Sequence, residues 1–151
     1  MAGEDDMDFL VQRKFEYRML DFSDQAVREE IREMRMMILE RDRIGVLAVS
    51  NPLFVKGAFE GEKLIGVIEV ATDGHVNYMV HPDYRGLKIA TNLLNQAIDD
   101  ARDGGVNKLV ASVIAGSASE TILQKAGFAD EGMLSSGATK SRNKLYTRNL
   151  D

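Results

Sequence analysis

The chain of 151 residues has no cysteine, no tryptophan and only two prolines. The absence of cysteine excludes disulfides, thiolate zinc sites and a cysteine nucleophile. No apolar run approaches the ~18 residues that a membrane-spanning helix needs, so we expect no membrane partner. The acidic start MAGEDDMD lacks the basic and apolar segments of a secretory signal. A cytoplasmic location is therefore the default expectation.

An excess of basic charge is also missing. The net charge is −5, and four of the negative charges fall within the first ten residues. Nothing in the rest of the chain gives the strong positive field of a nucleic-acid-binding protein, so we expect no nucleic-acid partner. The basic residues of the segment 140–148 are interpreted instead as a charged edge strand that resists aggregation.

The length and composition favour one globular domain. A second domain would leave both cores too small, and 44% hydrophobic with 28% charged residues is typical of a folded soluble chain. We predict an acidic N-terminal extension at 1–12 and a single domain at 13–151. The sequence does not decide between a monomer and a homodimer.

Hydrophobic spacing predicts the first half of the fold. Residues 14–19 alternate as a half-buried strand, and the spacing from Val27 to Ile38 predicts a helix that Asp21 or Ser23 caps. The segment 44–54 fits a strand, a helical turn or a buried loop equally. Two apolar runs around Glu60-Gly61-Glu62-Lys63 predict a hairpin, and 75–80 predicts a third antiparallel strand.

The pattern then alternates between helices and strands. Residues 90–101 predict a helix, 107–114 a buried strand, and Ser117-Ala-Ser-Glu120 a capping box that opens a short helix. Two further strands follow, the last at 139–148. This order predicts an α/β fold in which helices pack on a mixed, mostly antiparallel sheet of six to seven strands.

The most informative stretch runs from Tyr78 to Thr91, where a strand ends, a short loop turns and a long helix begins. The first amides of a helix have no internal partners and carry the positive end of its dipole. Gly86 allows a ligand to approach the backbone closely, and Arg85 adds a fixed positive charge. The arrangement predicts a site for a phosphate or pyrophosphate.

The segment VHPDYRGLKIATNLL resembles the acetyl-CoA-binding segment of the GNAT superfamily of N-acetyltransferases. That family's pattern is Gln or Arg, two residues, Gly, one residue, then Gly or Ala; Arg85 and Ala90 fill its first and last positions. The resemblance extends through EGEKLIGVIEV, NKLVASVI and ILQKAGF, and it covers roughly residues 13–148. It implies a GNAT-like fold whose sheet splays open between strands 75–80 and 107–114.

The resemblance also implies where the cosubstrate binds. Acetyl-CoA would lie between those two strands, with backbone groups near Met79 and Val80 pairing with its pantetheine arm as if it were an added strand. The amine acceptor would attack the thioester directly, with no covalent enzyme intermediate and no metal. The expected cofactor-binding residues are Met79, Val80, Arg85, Gly86, Leu87, Lys88, Ile89, Ala90 and Thr91.

Two positions depart from the family pattern. Lys88 stands where the middle glycine is usual; its ammonium either contacts a phosphate or points to solvent from the first helical turn. The family often has an asparagine and, seven residues later, a tyrosine that protonates the leaving thiolate. Here those positions are Gly116 and Leu123. Ser117 or Ser119 could contact the cofactor, although we expect Ser117 to cap its helix.

The catalytic candidates are therefore His75, Asp73, Glu69 and Tyr78. The family often places a carboxylate, or a water that one binds, at the start of the strand equivalent to 75–80, where this chain has Asp73 and His75. His75 has a suitable intrinsic pKa near ~6.5, and Glu69 on the neighbouring strand is its rival. Tyr78, Tyr146 or water could protonate the thiolate. His81 is interpreted as a loop residue.

The sequence as a whole predicts an acetyl-CoA-dependent N-acetyltransferase. The acceptor is a small amine, a lysine side chain or a protein N-terminus, and the irregular segments 40–55 and 134–140 are expected to select it. The alternative is a catalytically weak or inactive GNAT-fold protein that binds acetyl-CoA or a protein partner. Lys88, Gly116 and Leu123 motivate that alternative.

Overall fold

The computed structural model describes residues 14–43, 48–49, 51–134 and 142–150. The proposed extension at 1–12, part of the ambiguous segment 44–54 and most of the loop before the last strand lie outside these residues. No helix in the described part of the chain is long and apolar enough to cross a membrane.

The described residues form seven strands and three α-helices in the order that the sequence predicts. The ambiguous segment leads into a strand that begins at Pro52. The elements are β1 (Glu16–Leu20), α1 (Gln25–Asp42), β2 (Pro52–Glu60), β3 (Lys63–Ala71), β4 (Val76–Val80), a 3-10 turn (Pro82–Tyr84), α2 (Ile89–Asp103), β5 (Lys108–Ile114), α3 (Ala118–Lys125), β6 (Ala129–Met133) and β7 (Asn143–Asn149).

The strands form two antiparallel sheets, one in the order β1-β2-β3-β4 and one in the order β5-β7-β6. The expected splay between the strands 75–80 and 107–114 is therefore confirmed. The edge position expected for the last strand is wrong, because β7 lies between β5 and β6. Its Lys144 is paired with two carboxylates, since its Nζ lies 3.0 Å from Glu120 Oε2 and 2.9 Å from Asp130 Oδ2.

Among the described residues, the two sheets are joined where Gly74 and His75 meet β5. The Val110 amide donates to the Gly74 carbonyl at 2.9 Å, and His75 pairs with Val110 as an isolated parallel bridge. Gly74 has φ +93°, and a Cβ there would lie 2.1 Å from the Lys108 carbonyl oxygen. Only glycine allows this close approach, since a side chain would meet rigid backbone. Beyond the junction, β4 and β5 part.

The helices pack on opposite faces of the first sheet. The helix α1 buries Ile31, Met34 and Ile38, the stripe that its spacing predicts, against β2 and β3. The helix α2 and the apolar side of α3 close a second core with β5. Because side chains alternate along a strand, Met79 of β4 lies in the core under α1, while Tyr78 packs against the core under α2.

Two helix caps differ from the sequence prediction. The N-cap of α1 is Asp24, whose carboxylate accepts from the Ala26 amide at 2.9 Å, rather than Asp21 or Ser23. At α3 the capping box does not form, since Ser117 makes no side-chain cap bond and Glu120 accepts instead from the Gly116 amide at 2.9 Å.

Candidate functional site

The edge of β4 that faces β5 carries backbone groups that β3 does not use. At the two ends of the β3–β4 pairing, the Ala71 amide donates a hydrogen bond to the His75 carbonyl, and the His81 amide donates one to the Ile65 carbonyl. Antiparallel pairing alternates, so every second residue between them, including Met79, is also turned toward β3. The amides and carbonyls of Tyr78 and Val80 therefore face the cleft. Of the two residues near which a ligand was expected to pair, Val80 turns its backbone groups to the cleft and Met79 turns them to β3.

The loop after β4 is built around two buried aromatic rings. His81 is only 7% exposed, and its Nδ1 accepts from the Asp83 amide at 3.1 Å, which caps the 3-10 turn. Its ring lies edge-on to the ring of Tyr84, and the two ring centroids are 5.4 Å apart. Burial and the nearby Lys63 lower the pKa of His81, so the imidazole stays neutral. His81 is a structural loop residue, as the sequence indicates.

The loop reaches α2 through two residues in the left-handed region, Gly86 at φ +80° and Lys88 at φ +63°. Lys88 is the N-cap of α2 and not part of its first turn, which is where one of the two sequence alternatives placed it. Glycine adopts this conformation without strain, whereas a side chain raises its energy by ~1–2 kcal/mol. This backbone geometry explains why glycine suits the position.

The N-terminus of α2 presents free amides at the end of the cleft. Its first intrahelical bond runs from the Asn92 amide to the Lys88 carbonyl at 3.0 Å. The amides of Ile89, Ala90 and Thr91 therefore have no partner within the helix. Arg85, Gly86, Leu87 and Lys88 are exposed beside them. The loop and helix together form a surface for an anionic group.

Two ion pairs connect this loop to the end of α1. Arg85 Nη2 lies 2.6 Å from Asp42 Oδ2, and Arg41 Nη1 lies 3.1 Å from Asp83 Oδ1. The hydrogen bond from Arg85 lowers the pKa of Asp42. No local pattern in the sequence marks Asp42, which is 43 positions from its partner. The pair holds the Arg85 guanidinium beside the loop.

A comparison with protein families decides what this cleft belongs to. The family described as the acetyltransferase (GNAT) family matches residues 13–128, more than half of the chain. The chain belongs to the GNAT family of acetyltransferases. It is therefore an acyltransferase, and the GNAT-like fold expected from the sequence is confirmed. No curated protein matches the sequence.

Solved GNAT structures share the fold at low sequence identity. A GNAT acetyltransferase from Staphylococcus aureus Mu50 superposes with a TM-score of 0.70 at 19% identity, covering 91% of this chain and 100% of the other. YncA from Salmonella typhimurium, in a structure with its cofactor acetyl-CoA, gives 0.64 at 20% identity over 91% and 94% of the chains. The ribosomal-protein-S18-alanine N-acetyltransferase from Escherichia coli gives 0.62 at 16% over 89% and 91%.

His75 and Asp73 lie at the closed end of the GNAT cleft, where β4 and β5 meet. Both side chains are exposed, and His75 Nδ1 lies 3.1 Å from Asp73 Oδ1. Hydrogen bonds from the His75 backbone and side chain lower the pKa of Asp73. An Nδ1–H that donates to this carboxylate leaves Nε2 with a free lone pair.

Glu69 lies on the same face of the sheet but in a different environment. It is 3% exposed, and one of its oxygens lies 2.5 Å from Arg35 Nη2 on α1. Burial raises the pKa of Glu69, while Arg35 and the Val49 amide oppose the shift. Glu69 pairs across the strands with Asn77, two residues beyond His75. The ion pair joins α1 to the sheet beneath it.

The tyrosine that this family often has on the last helix is absent here. Leu123 takes its position, and it is fully buried in the core. Tyr78 reaches the same helix from β4, and its hydroxyl lies 3.4 Å from the Ser119 carbonyl oxygen. Ser117 is nearby in sequence, and its Oγ is buried with no hydrogen-bond partner among the described residues. Within those residues no cluster of side chains suits a metal ion.

The backbone of Lys88 gives a stability prediction. Lys88→Gly should raise the free energy of unfolding by up to ~1 kcal/mol, because glycine relieves the left-handed strain. Lys125→Gly is the matched control: it replaces an exposed lysine within α3 and should lower stability by up to ~1 kcal/mol. Chemical denaturation measures both, and a loss of stability in both variants would contradict the assigned conformation.

Proposed function

We propose that this GNAT protein is an acetyl-CoA-dependent N-acetyltransferase that moves the acetyl group directly to an amine. The observation that carries the proposal is the free edge of β4 at Tyr78 and Val80, which leads to Arg85 and the first turn of α2. An open strand edge suits the extended pantetheine arm, whose amides can pair with it as a strand does. A helix N-terminus suits the phosphates.

The residues of the loop fit the anionic end of acetyl-CoA. Gly86 leaves open space where a side chain would stand, so phosphate oxygens can approach the backbone there. Arg85 supplies a guanidinium that a partly exposed carboxylate now holds. An ion pair near the surface contributes little stability, so a doubly charged pyrophosphate can replace Asp42 as its partner. The neighbouring structure of YncA, which was solved with its cofactor acetyl-CoA, supports this assignment.

The acceptor is proposed only as an amine, whether a small molecule, a lysine side chain or a protein N-terminus. The segments expected to select it lie partly outside the described residues. The neighbour from Escherichia coli is named for an alanine of ribosomal protein S18, but its 16% identity carries the fold alone. The chemistry required of this chain is the same for each acceptor class, because an ammonium must lose a proton before it can attack.

We assign that deprotonation to His75, with Asp73 as the residue that orients it. His75 lies where the strands part, and its exposed side chain can pass a proton to solvent. Glu69 is the weaker candidate, because its carboxylate already accepts from Arg35 and from the Val49 amide. Its role in this account is to hold α1 on the sheet.

Kinetic variants test the assignment of the base. His75→Ala or Asp73→Asn should lower kcat at neutral pH by at least ~10-fold, since a lost general base reduces rates by ~10²–10⁴. The loss should shrink as pH rises, because the amine then loses its own proton. Steady-state rates from about pH 6 to 9 measure this. Full activity in both variants, with a large loss in Glu69→Gln, would move the base to Glu69.

Labelled acetyl-CoA tests the function itself. Incubating the protein and a cell extract with acetyl-labelled acetyl-CoA should transfer label to an amine, and mass spectrometry then identifies the product. His75→Ala supplies the matched control, because it leaves the phosphate loop intact. Acetyl-CoA binding without transfer to any extract component or amine would favour the alternative, a GNAT-fold binding or interaction module, to which the buried Leu123 also points.

A further inference from the structure

The cleft holds the side chain of Tyr78, which has no part in the cofactor edge or the proposed base. Only the backbone of Tyr78 belongs to that edge. Cleavage of a thioester releases a thiolate, and a hydrogen-bond donor at the sulfur stabilises that charge as it develops. Leu123 cannot donate. Tyr78 is the residue of the open edge whose side chain spans from β4 to the first turn of α3.

The hydroxyl of Tyr78 is only weakly engaged. Its 3.4 Å contact with the Ser119 carbonyl oxygen is long for an O–H···O bond, which is usually 2.7–2.8 Å in proteins. That carbonyl belongs to a helical residue, whose ordinary partner is the amide four residues later. A closer or charged acceptor in the cleft can therefore replace the Ser119 carbonyl as the partner of the Tyr78 hydroxyl, and that carbonyl keeps its helical hydrogen bond.

Tyr146, the other tyrosine of this region, is committed elsewhere. It is fully buried on β7, and its hydroxyl lies 2.5 Å from Glu120 Oε2 and 3.0 Å from Gln124 Nε2. Lys144 lies 3.0 Å from the same Glu120 oxygen. This network ties α3 to β7, and it makes Tyr146 a matched comparison for Tyr78.

Position and protonation both suit Tyr78 to the leaving group. It lies three residues beyond His75, about 10 Å along the strand, and on the opposite face of the sheet. A thioester held along the edge of β4 would thus have the base on one face and the hydroxyl on the other. Burial raises the pKa of Tyr78, so it keeps its proton at neutral pH.

We propose that the Tyr78 hydroxyl donates to the sulfur of CoA as acetyl transfer proceeds, a role that rests on the proposed function. The amine nitrogen bonds to the acetyl carbon, the carbon–sulfur bond breaks, and the electron pair goes to sulfur. Sulfur leaves as a thiolate that accepts the hydrogen bond from the Tyr78 hydroxyl, and it takes a proton from water when CoA is released. The proton that the amine loses passes through His75 to solvent, so the exchange balances.

Titration of bound CoA tests this role without any acceptor. The chain has no cysteine, so CoA supplies the only thiol in the complex. We expect the bound thiol to have a pKa ~1 unit lower in the unsubstituted protein than in Tyr78→Phe, since a hydrogen bond to a charged group favours the thiolate. Ultraviolet absorption of the thiolate reports it, with the acetyl-CoA complex subtracted to remove the tyrosines.

Tyr146→Phe is the control, and we expect it to lower thermal stability while leaving the thiol pKa unchanged. Tyr78→Phe should keep its fold and also lose at least ~10-fold in kcat, with little change in KM for acetyl-CoA. Equal thiol pKa values in the unsubstituted protein and Tyr78→Phe would overturn the role of Tyr78 and leave the proposed function standing. Failure of the unsubstituted protein to bind CoA would overturn both.

Discussion

The contact between Gly74 and β5 sets the geometry on which the site depends. The Gly74 carbonyl accepts from Val110 at 2.9 Å, and its Cα comes too close to the Lys108 carbonyl for any side chain. The two sheets are therefore pinned at one point and free to diverge beyond it. Because the sheets diverge, the edge of β4 is left unpaired, and its free amides and carbonyls can pair with a strand-like ligand. The substrate cleft follows from this single close approach.

Charge connects the cleft to the rest of the molecule. At the end of α1, Asp42 pairs with Arg85 of the loop. Arg41 pairs with Asp83 of the same loop, so each side supplies one positive and one negative group. Arg35 of the same helix holds Glu69 on the sheet. The helix α1 thus contacts both the loop after β4 and the face on which His75 lies. A ligand that draws Arg85 away from Asp42 would release one of these contacts.

Local patterns allowed most of the fold to be predicted. The Gly61 turn, the alternation on either side of it and the stripe on α1 are short-range signals, and each produced the expected element. The edge assignment of β7 failed because strand order depends on pairing between distant residues. The left-handed backbone of Lys88 was not predicted, because lysine gives no sign of that conformation, whereas a glycine would have.

The site was only partly readable for the same reason. Arg85, Gly86 and the first turn of α2 follow from a strand–glycine–helix pattern. Which residues of β4 turn their backbone groups to the open edge depends on the register with β3, which one sequence does not reveal. The Asp42 and Arg35 partners lie 43 and 34 positions from Arg85 and Glu69, so no local spacing marks them. Tyr78 is already a candidate from the sequence, but its contact with α3 depends on the folded arrangement.

Amide exchange measured residue by residue with and without acetyl-CoA tests the central claim most directly. The account predicts that acetyl-CoA slows exchange at the Tyr78 and Val80 amides and at Ile89, Ala90 and Thr91. Met79, whose amide already bonds to β3, should change little, so protection alternates along β4. Protection of Met79 with none at Tyr78 and Val80, or no change at either the strand or the helix, would contradict the proposed placement of the cofactor.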